Sequence, residues 1–216
     1  MRQSVREFVE IAGRWLPIKE PIYEFGSYQV LGQEKFVDLR SLFRGKKFIG
    51  ADIRKGNGVD VVLDLHNIGI KQGTAGTVLI LDTLEHVEFP RKAVTEAHRI
   101  LCPDGLLIMT SIMNFPIHNF PHDFWRFTPT AFKSLLSPFE CSVIKACGDP
   151  YFPHILVGIG FREKETAQNI SQFNKEIEKW CQKWRNPCKG DTREILKQFF
   201  PPVLCRLYRE FKSWKD

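Results

Sequence analysis

The strongest constraint in this 216-residue chain is an alternation of periods. Short, continuously apolar runs fall at Pro21–Phe25, Lys47–Asp52, Val59–Asp64, Thr77–Leu81 and Gly105–Ser111, with helical patterns over Lys35–Phe43 and Pro90–Leu101 between them. Strands that are apolar throughout, separated by amphipathic helices, belong to a parallel sheet covered on both faces. A helix over Pro129–Leu136 and two further strand-like runs, Cys141–Ala146 and His154–Phe161, complete the pattern. The expected fold is a doubly wound, Rossmann-like α/β domain around a mostly parallel seven-stranded sheet.

Three segments follow from this reading: an N-terminal helix in residues 1–20, the α/β domain in 21–161, and a helical C-terminal extension in 162–216. In the first, Val5, Phe8, Val9, Ala12, Trp15 and Leu16 recur at helical spacing until Pro17, and Ser4 with Glu7 has the form of a capping box. The extension holds 13 Lys and Arg against 8 Asp and Glu, whereas residues 1–161 hold 18 against 17. The net charge of +6 is thus concentrated at one end, which argues against a uniformly basic nucleic-acid binder. Within the extension, Leu204, Leu207, Tyr208, Phe211 and Trp214 recur at helical spacing, with Arg206, Arg209, Lys212 and Lys215 on other faces. Such a helix suits an anionic membrane surface or packing on the domain, where Trp180 and Trp184 could receive it.

Glu7 and Glu10 interrupt the first fifteen residues, so no secretory leader is expected there, and no run approaches the length of a membrane span. A soluble, cytoplasmic protein is expected. The six cysteines, Cys102, Cys141, Cys147, Cys181, Cys188 and Cys205, include no CxxC pair and read as reduced thiols. His98 and Cys102, four apart on a helix, are too few for a metal site, and none is expected.

Ligands of open parallel sheets bind beyond the carboxyl ends of the strands. Here four successive strands end in acids: Glu24 before Gly26, then Asp52, Asp64 and Asp82. Each alone is an ordinary turn former or N-cap. Together they line one edge and suit a ligand rich in hydroxyl and amine donors, either a dinucleotide or S-adenosylmethionine. In Gly26-Ser-Tyr-Gln-Val-Leu-Gly32 the middle glycine of a dinucleotide fingerprint is Tyr28, which obstructs close approach to a pyrophosphate.

Tyr23-Glu-Phe-Gly-Ser27, Gly50-Ala-Asp52, Asp64-Leu65, Leu81-Asp-Thr-Leu-Glu-His-Val87 and Ile100-Leu-Cys-Pro-Asp-Gly-Leu-Leu107 occur in this order. In these motifs the chain resembles the class I S-adenosylmethionine-dependent methyltransferases, particularly their small-molecule group, over Tyr23 to Phe139. The resemblance implies S-adenosylmethionine as cofactor. It places Glu24, Gly26 and Ser27 by the methionine and ribose, Asp52 on the ribose hydroxyls, and Ile53 beside the adenine. Asp64 accepts from the adenine amino group, Leu65 gives a backbone contact, Asp82 and Thr83 lie near the methionine, and Leu84–Val87 turns beneath the transferred methyl.

The Pro-, His- and aromatic-rich stretch Asn114–Thr128 follows the fifth strand on the ligand side. His122 beside Asp123 is the candidate catalytic base, with His118 a second option. Asp123 and Arg126 alternatively pair with each other in a lid. The expected activity is methyl transfer to a small molecule or glycan. An NAD-binding oxidoreductase and a catalytically degenerate binding module acting through the basic tail are the alternatives.

Overall fold

The computed structural model describes residues 2–29, 37–118, 121–164 and 170–185. A compact unit runs from Met1 to Arg185. The C-terminal amphipathic helix expected around Leu204–Trp214 lies outside the described residues, as do Cys188, Cys205 and the first two residues of the helix expected over Lys35–Phe43. The rest of that expected helix is not continuous: Val37 is helical, Asp38 and Leu39 are not, and Arg40–Phe43 is a 3-10 turn.

Seven strands form one sheet: β1 (Ile22–Phe25), β2 (Phe48–Asp52), β3 (Val61–Val62), β4 (Ala75–Leu81), β5 (Leu101–Ser111), β6 (Cys141–Gly148) and β7 (Pro153–Phe161). Their order is β3-β2-β1-β4-β5-β7-β6. β1 to β5 run parallel, and β7 is antiparallel to both β5 and β6. The register aligns Glu24 with Gly50 and Leu79, and Asp52 with Val62, so β1 to β4 finish along one edge. Strand order reverses between β1 and β4, where a doubly wound sheet opens a crevice for ligand.

Each strand feeds two cores because successive side chains leave on opposite faces. On one face, α2 (Pro90–Ile100) presents Ala93, Val94, Ala97 and Ile100 to Val78, Ile80, Leu107 and Met109. The three- and four-residue spacing of those apolar residues makes the helix amphipathic, and Pro90 at its first turn needs no donor partner. Beside it, α3 (Pro129–Leu135) is capped by Thr128, whose hydroxyl accepts from Ala131 N at 3.1 Å. On the other face, α1 (Gln3–Trp15) and α4 (Ser171–Lys183) cover Leu79, Leu106, Ile108 and Ile159.

The start of α1 departs from the expected capping box. The helix begins at Gln3 with Arg2 extended before it, no side chain caps it, and Ser4 is buried in the first turn. Glu7 does not reach back; it accepts from Lys183 Nζ at 2.7 Å and Trp184 Nε1 at 2.9 Å. Trp180 donates to the Ser4 carbonyl at 2.9 Å and packs on Phe8. Both tryptophans therefore tie α4 to α1. Trp15, expected on the apolar face, is exposed.

β3 is two residues long instead of six. Asp60 meets Gly50 twice, its N–H donating to the Gly50 carbonyl at 2.8 Å and its side chain accepting from Gly50 N at 2.7 Å, and Asp64 folds into a turn onto His66 N at 2.8 Å. Among the described residues Cys102, Cys141, Cys147 and Cys181 are free thiols, and no helix is long and apolar enough to cross a membrane.

Candidate active site

After β1 the chain folds over the end of β2. Gly26 N and Ser27 N both donate to the Ala51 carbonyl, at 2.9 and 3.1 Å. Gly26 has φ +85°, and a Cβ there would meet Thr83 Oγ1 at 2.2 Å, so glycine is required on both counts. Tyr28 N then donates to Asp52 Oδ2 at 3.3 Å. The Tyr28 ring leaves sideways: its face lies 4.3 Å from the Arg54 guanidinium, and its edge fills the space above Gly56. Asp52 Oδ1 in turn accepts from Arg54 N at 2.9 Å and Nε at 3.2 Å.

Glu24 is buried on the cavity wall, and that burial pushes its carboxyl up to about 8. Asp64 Oδ1 accepts from His66 N and lies 2.8 Å from His66 Nδ1, while the Phe89 N–H donates to His66 Nε2. Ile53 is exposed and Leu65 buried.

The opposite wall is built on the end of β4. Asp82 sits at φ +45°, a left-handed conformation that asparagine and aspartate tolerate better than most residues. Its N–H donates to Thr110, whose hydroxyl returns a bond to Oδ1 at 2.9 Å. Arg2 clamps the same carboxylate through Nε at 3.1 Å and Nη2 at 2.7 Å, and reaches the His154 carbonyl through Nη1. Burial favours the neutral acid, but the Arg2 guanidinium and the Thr110 hydroxyl outweigh it and hold Asp82 below the usual carboxylate range.

Glu85 follows in a 3-10 turn, Leu84–His86, and accepts from Ser111 Oγ at 2.7 Å. Burial and the neighbouring Asp82 raise its carboxyl to about 7. His86 Nδ1 meets the His122 carbonyl at 2.5 Å, and burial lowers the basicity of the ring.

The stretch after β5 is held by its own ion pair. Arg126 grips Asp123 with two bonds of 2.5 and 2.7 Å and also donates to the Phe115 and Pro116 carbonyls. The Asp123 side chain is 1% exposed, and the Arg126 hydrogen bonds keep it well below the ordinary range. The same carboxylate takes the His118 N–H at 2.7 Å. Main-chain bonds from Phe124 and Trp125 to the Glu85 carbonyl close the loop onto the turn.

Between these walls lies a cavity of about 510 Å³. All nine residues assigned to the cofactor, Glu24, Gly26, Ser27, Asp52, Ile53, Asp64, Leu65, Asp82 and Thr83, line it. The two catalytic assignments do not. His122 is exposed with its ring against Phe124, and Asp123 is spent on Arg126, as the lid reading requires. The groups that face the cavity instead are Glu85, His86 and His118, with Arg2, Arg54 and Phe115. Arg2 carried no sequence signal, because its partner is 80 positions away.

The walls fit S-adenosylmethionine on two counts. Ser27 lines the cavity, and its buried Oγ has no hydrogen-bond partner among the described residues. Glu24, Asp52 and Asp64 put three carboxyls around a ligand that carries a sulfonium, an ammonium and two ribose hydroxyls. An all-parallel dinucleotide-binding sheet runs 3-2-1-4-5-6, whereas here an antiparallel β7 is inserted beside β5.

Residues 40–109 match the sequence model of a family described as a methyltransferase domain. No curated protein sequence matches the chain. Among solved structures, it superposes on the 1,6-didemethyltoxoflavin-N1-methyltransferase of Burkholderia thailandensis, solved with 1,6-didemethyltoxoflavin and S-adenosylhomocysteine, at TM-score 0.55 and 14% identity, covering 74% of this chain and 78% of that one. A Thermotoga maritima S-adenosylmethionine-dependent methyltransferase, described as a possible histamine N-methyltransferase, gives 0.52 and 17% over 74% and 91%. A Haloferax volcanii putative methyltransferase, solved in complex with the Trm112 methyltransferase activator, gives 0.52 and 11% over 72% and 88%. At these identities the likeness is one of fold.

The chain thus has the fold of these methyltransferase structures, and residues 40–109 carry the match to the methyltransferase-domain family.

Proposed function

We propose that the chain is a class I S-adenosylmethionine-dependent methyltransferase, with S-adenosylmethionine as its cofactor, and that it methylates an oxygen or nitrogen of a small-molecule or glycan acceptor presented at the wall formed by Glu85, His86 and His118. The observation that carries this reading is that these three polar side chains share one cavity with the nine residues assigned to the cofactor. The cofactor supplies an electrophilic methyl carried on a sulfonium. The protein's part is to orient both reactants and exclude water.

In this reading Asp52 receives the ribose hydroxyls, Asp64 the adenine amino group, and ionised Glu24 faces the cationic methionine end. Acid–base work on the acceptor falls to Glu85, His86 and His118, while Asp123 positions His118 through its main chain. The half-exposed Phe115 lines the cavity and offers a flat apolar face, which suits a ring or sugar.

Calorimetry with S-adenosylmethionine, S-adenosylhomocysteine and NAD tests the cofactor half. Both sulfur compounds are expected to bind and NAD to fail; NAD binding in their place would sink the proposal. Transfer of labelled methyl to a panel of hydroxylated and aminated small molecules and oligosaccharides then tests the acceptor class.

A further inference from the structure

The mechanism above leaves open what a carboxyl and two imidazoles are doing together at the acceptor wall. Each of Glu85, His86 and His118 offers one ligand atom, and the three atoms lie within 4.8 Å of one another. We propose that Glu85, His86 and His118 form a binding site for one divalent transition cation, which holds the acceptor through a hydroxyl oxygen. This rests on the methyltransferase reading of the cavity and sharpens it to acceptors that methylate on oxygen.

The groups that hold these three side chains argue for a cation over proton transfer alone. A ligating histidine nearly always commits its other ring nitrogen to a carboxylate or a backbone carbonyl, which fixes the tautomer and the ring direction. His86 Nδ1 is engaged in this way by the His122 carbonyl at 2.5 Å. His118 Nδ1 lies 3.2 Å from both the Pro116 carbonyl and Asp123 Oδ2. With both Nδ1 atoms so placed, Nε2 is the ligand nitrogen of each ring. The carboxylate is steadied too, since Ser111 Oγ donates to Glu85 Oε2 at 2.7 Å. Asp82 is excluded from the ligand set by its clamp on Arg2.

Geometry and ligand chemistry set the class of ion. Donors bound at about 2.0–2.2 Å sit roughly 3.3 Å apart around a tetrahedral centre, so a separation of up to 4.8 Å closes by about 1.5 Å on binding. Glu85 and His86 are fixed on the β4 turn, and the movement falls on His118, which the loop carries. Two imidazoles and one carboxylate suit zinc, cobalt, iron or nickel better than calcium or magnesium. Three protein ligands leave a position for an exogenous oxygen. An acceptor hydroxyl bound there gives up its proton to water, its oxygen takes the methyl carbon, and the carbon–sulfur bond breaks with its electron pair remaining on sulfur.

The test uses the full chain and cobalt(II) as probe, because its visible absorption reports the ligand field directly. The expected result is one equivalent of cobalt with d–d bands of a low-coordinate nitrogen and oxygen site. Glu85→Gln and His118→Ala should each weaken cobalt by more than about 100-fold. Affinity for S-adenosylmethionine, which the proposed reading rests mainly on Glu24, Asp52 and Asp64, should change by less than about twofold in the same variants. His98→Ala, on α2 and outside the cavity, should bind cobalt like the wild type. If His118→Ala fails to fold, His118→Gln replaces it, keeping the side chain's bulk without an imidazole nitrogen. A wild type that binds S-adenosylmethionine but no stoichiometric cobalt overturns the proposal, as does cobalt binding indifferent to Glu85→Gln and either His118 variant. Cobalt binding without any binding of S-adenosylmethionine would uphold the metal site and sink the methyltransferase reading instead.

Discussion

The two walls of the cavity are made by different means. Glu24, Asp52 and Asp64 stand at the ends of three adjacent parallel strands, spaced by the sheet itself and steadied by local bonds such as Arg54 N to Asp52. Glu85, His86 and His118 come together only because a loop beyond β5 crosses back and fastens to the β4 turn through the Glu85 carbonyl and the Asp123–Arg126 pair. A scaffold wall of this kind suits an unchanging cofactor, whereas a loop-built wall suits an acceptor that differs among enzymes of one fold. Substitutions on the two walls should therefore separate cofactor binding from acceptor handling.

The largest effect is expected on the scaffold wall. If the proposed reading holds, Asp52→Ala removes two charge-assisted hydrogen bonds to the ribose, a loss of about 3 kcal/mol or 100-fold in affinity for S-adenosylmethionine by calorimetry. Unchanged affinity would show that the ribose lies elsewhere, and the contrast between the walls would collapse. Next comes Glu24, whose carboxyl is protonated in the ligand-free protein below about 8 and must ionise to face a cation. Affinity for S-adenosylmethionine should rise by about tenfold per pH unit between pH 6 and 8 and level off above, and Glu24→Gln should flatten the profile. The stability sign agrees. The folded carboxyl is raised above its unfolded value of 4.5, so the native state binds the extra proton and loses stability as pH climbs toward 8. The glutamine variant should melt higher than the wild type at pH 9.

The difference between the walls also decides what was legible in the sequence. That Glu24, Asp52 and Asp64 would meet in one crevice was readable because strand ends recur with the sheet's own rhythm, and a residue that closes an apolar run reaches the edge wherever the loops go. Glu85 and His118 were not separable from His122 in the same way. Which of two histidines four residues apart faces inward depends on Asp123 taking the His118 N–H and on His86 taking the His122 carbonyl, bonds across 5 and 36 positions. The failed capping box has the same cause: Ser4 and Glu7 suit a local bond, but Glu7 is claimed by Lys183 and Trp184 some 176 residues on. Within α3, where Thr128 and Pro129 act on their own helix, the local signal holds.

Arg2 joins the N-terminal helix to the acceptor side of the cavity, and its removal probes that joint. Arg2→Ala leaves the Asp82 carboxylate with Thr110 alone. Since both side chains keep some contact with water, a cost of about 1–3 kcal/mol is expected, read as a lower melting temperature. Asp82 is held below its ordinary value, so the pair's stabilisation is present above about pH 4 and fades as pH falls through the folded value. The wild type and the alanine variant should accordingly converge under acid. A gap that persists there would mean that Arg2 acts through the His154 carbonyl and not through its charge.

The smallest effect is expected at the residue the sequence marked most strongly as catalytic. His122 presents its ring to solvent and Phe124, and what it contributes to the acceptor wall is its carbonyl, which orients His86. A side-chain substitution leaves that carbonyl in place, so His122→Ala should change methyl transfer by less than about twofold, the scale of an ordinary surface change. Loss of a proton-transfer group would instead cost on the order of 10²–10⁴ in rate and tilt the pH profile. The two outcomes are far enough apart for one rate measurement to decide between them. A collapse in His122→Ala would mean that the loop rearranges to bring that ring inward with the acceptor bound, and the loop-built wall would then be a moving part and not a fixed one.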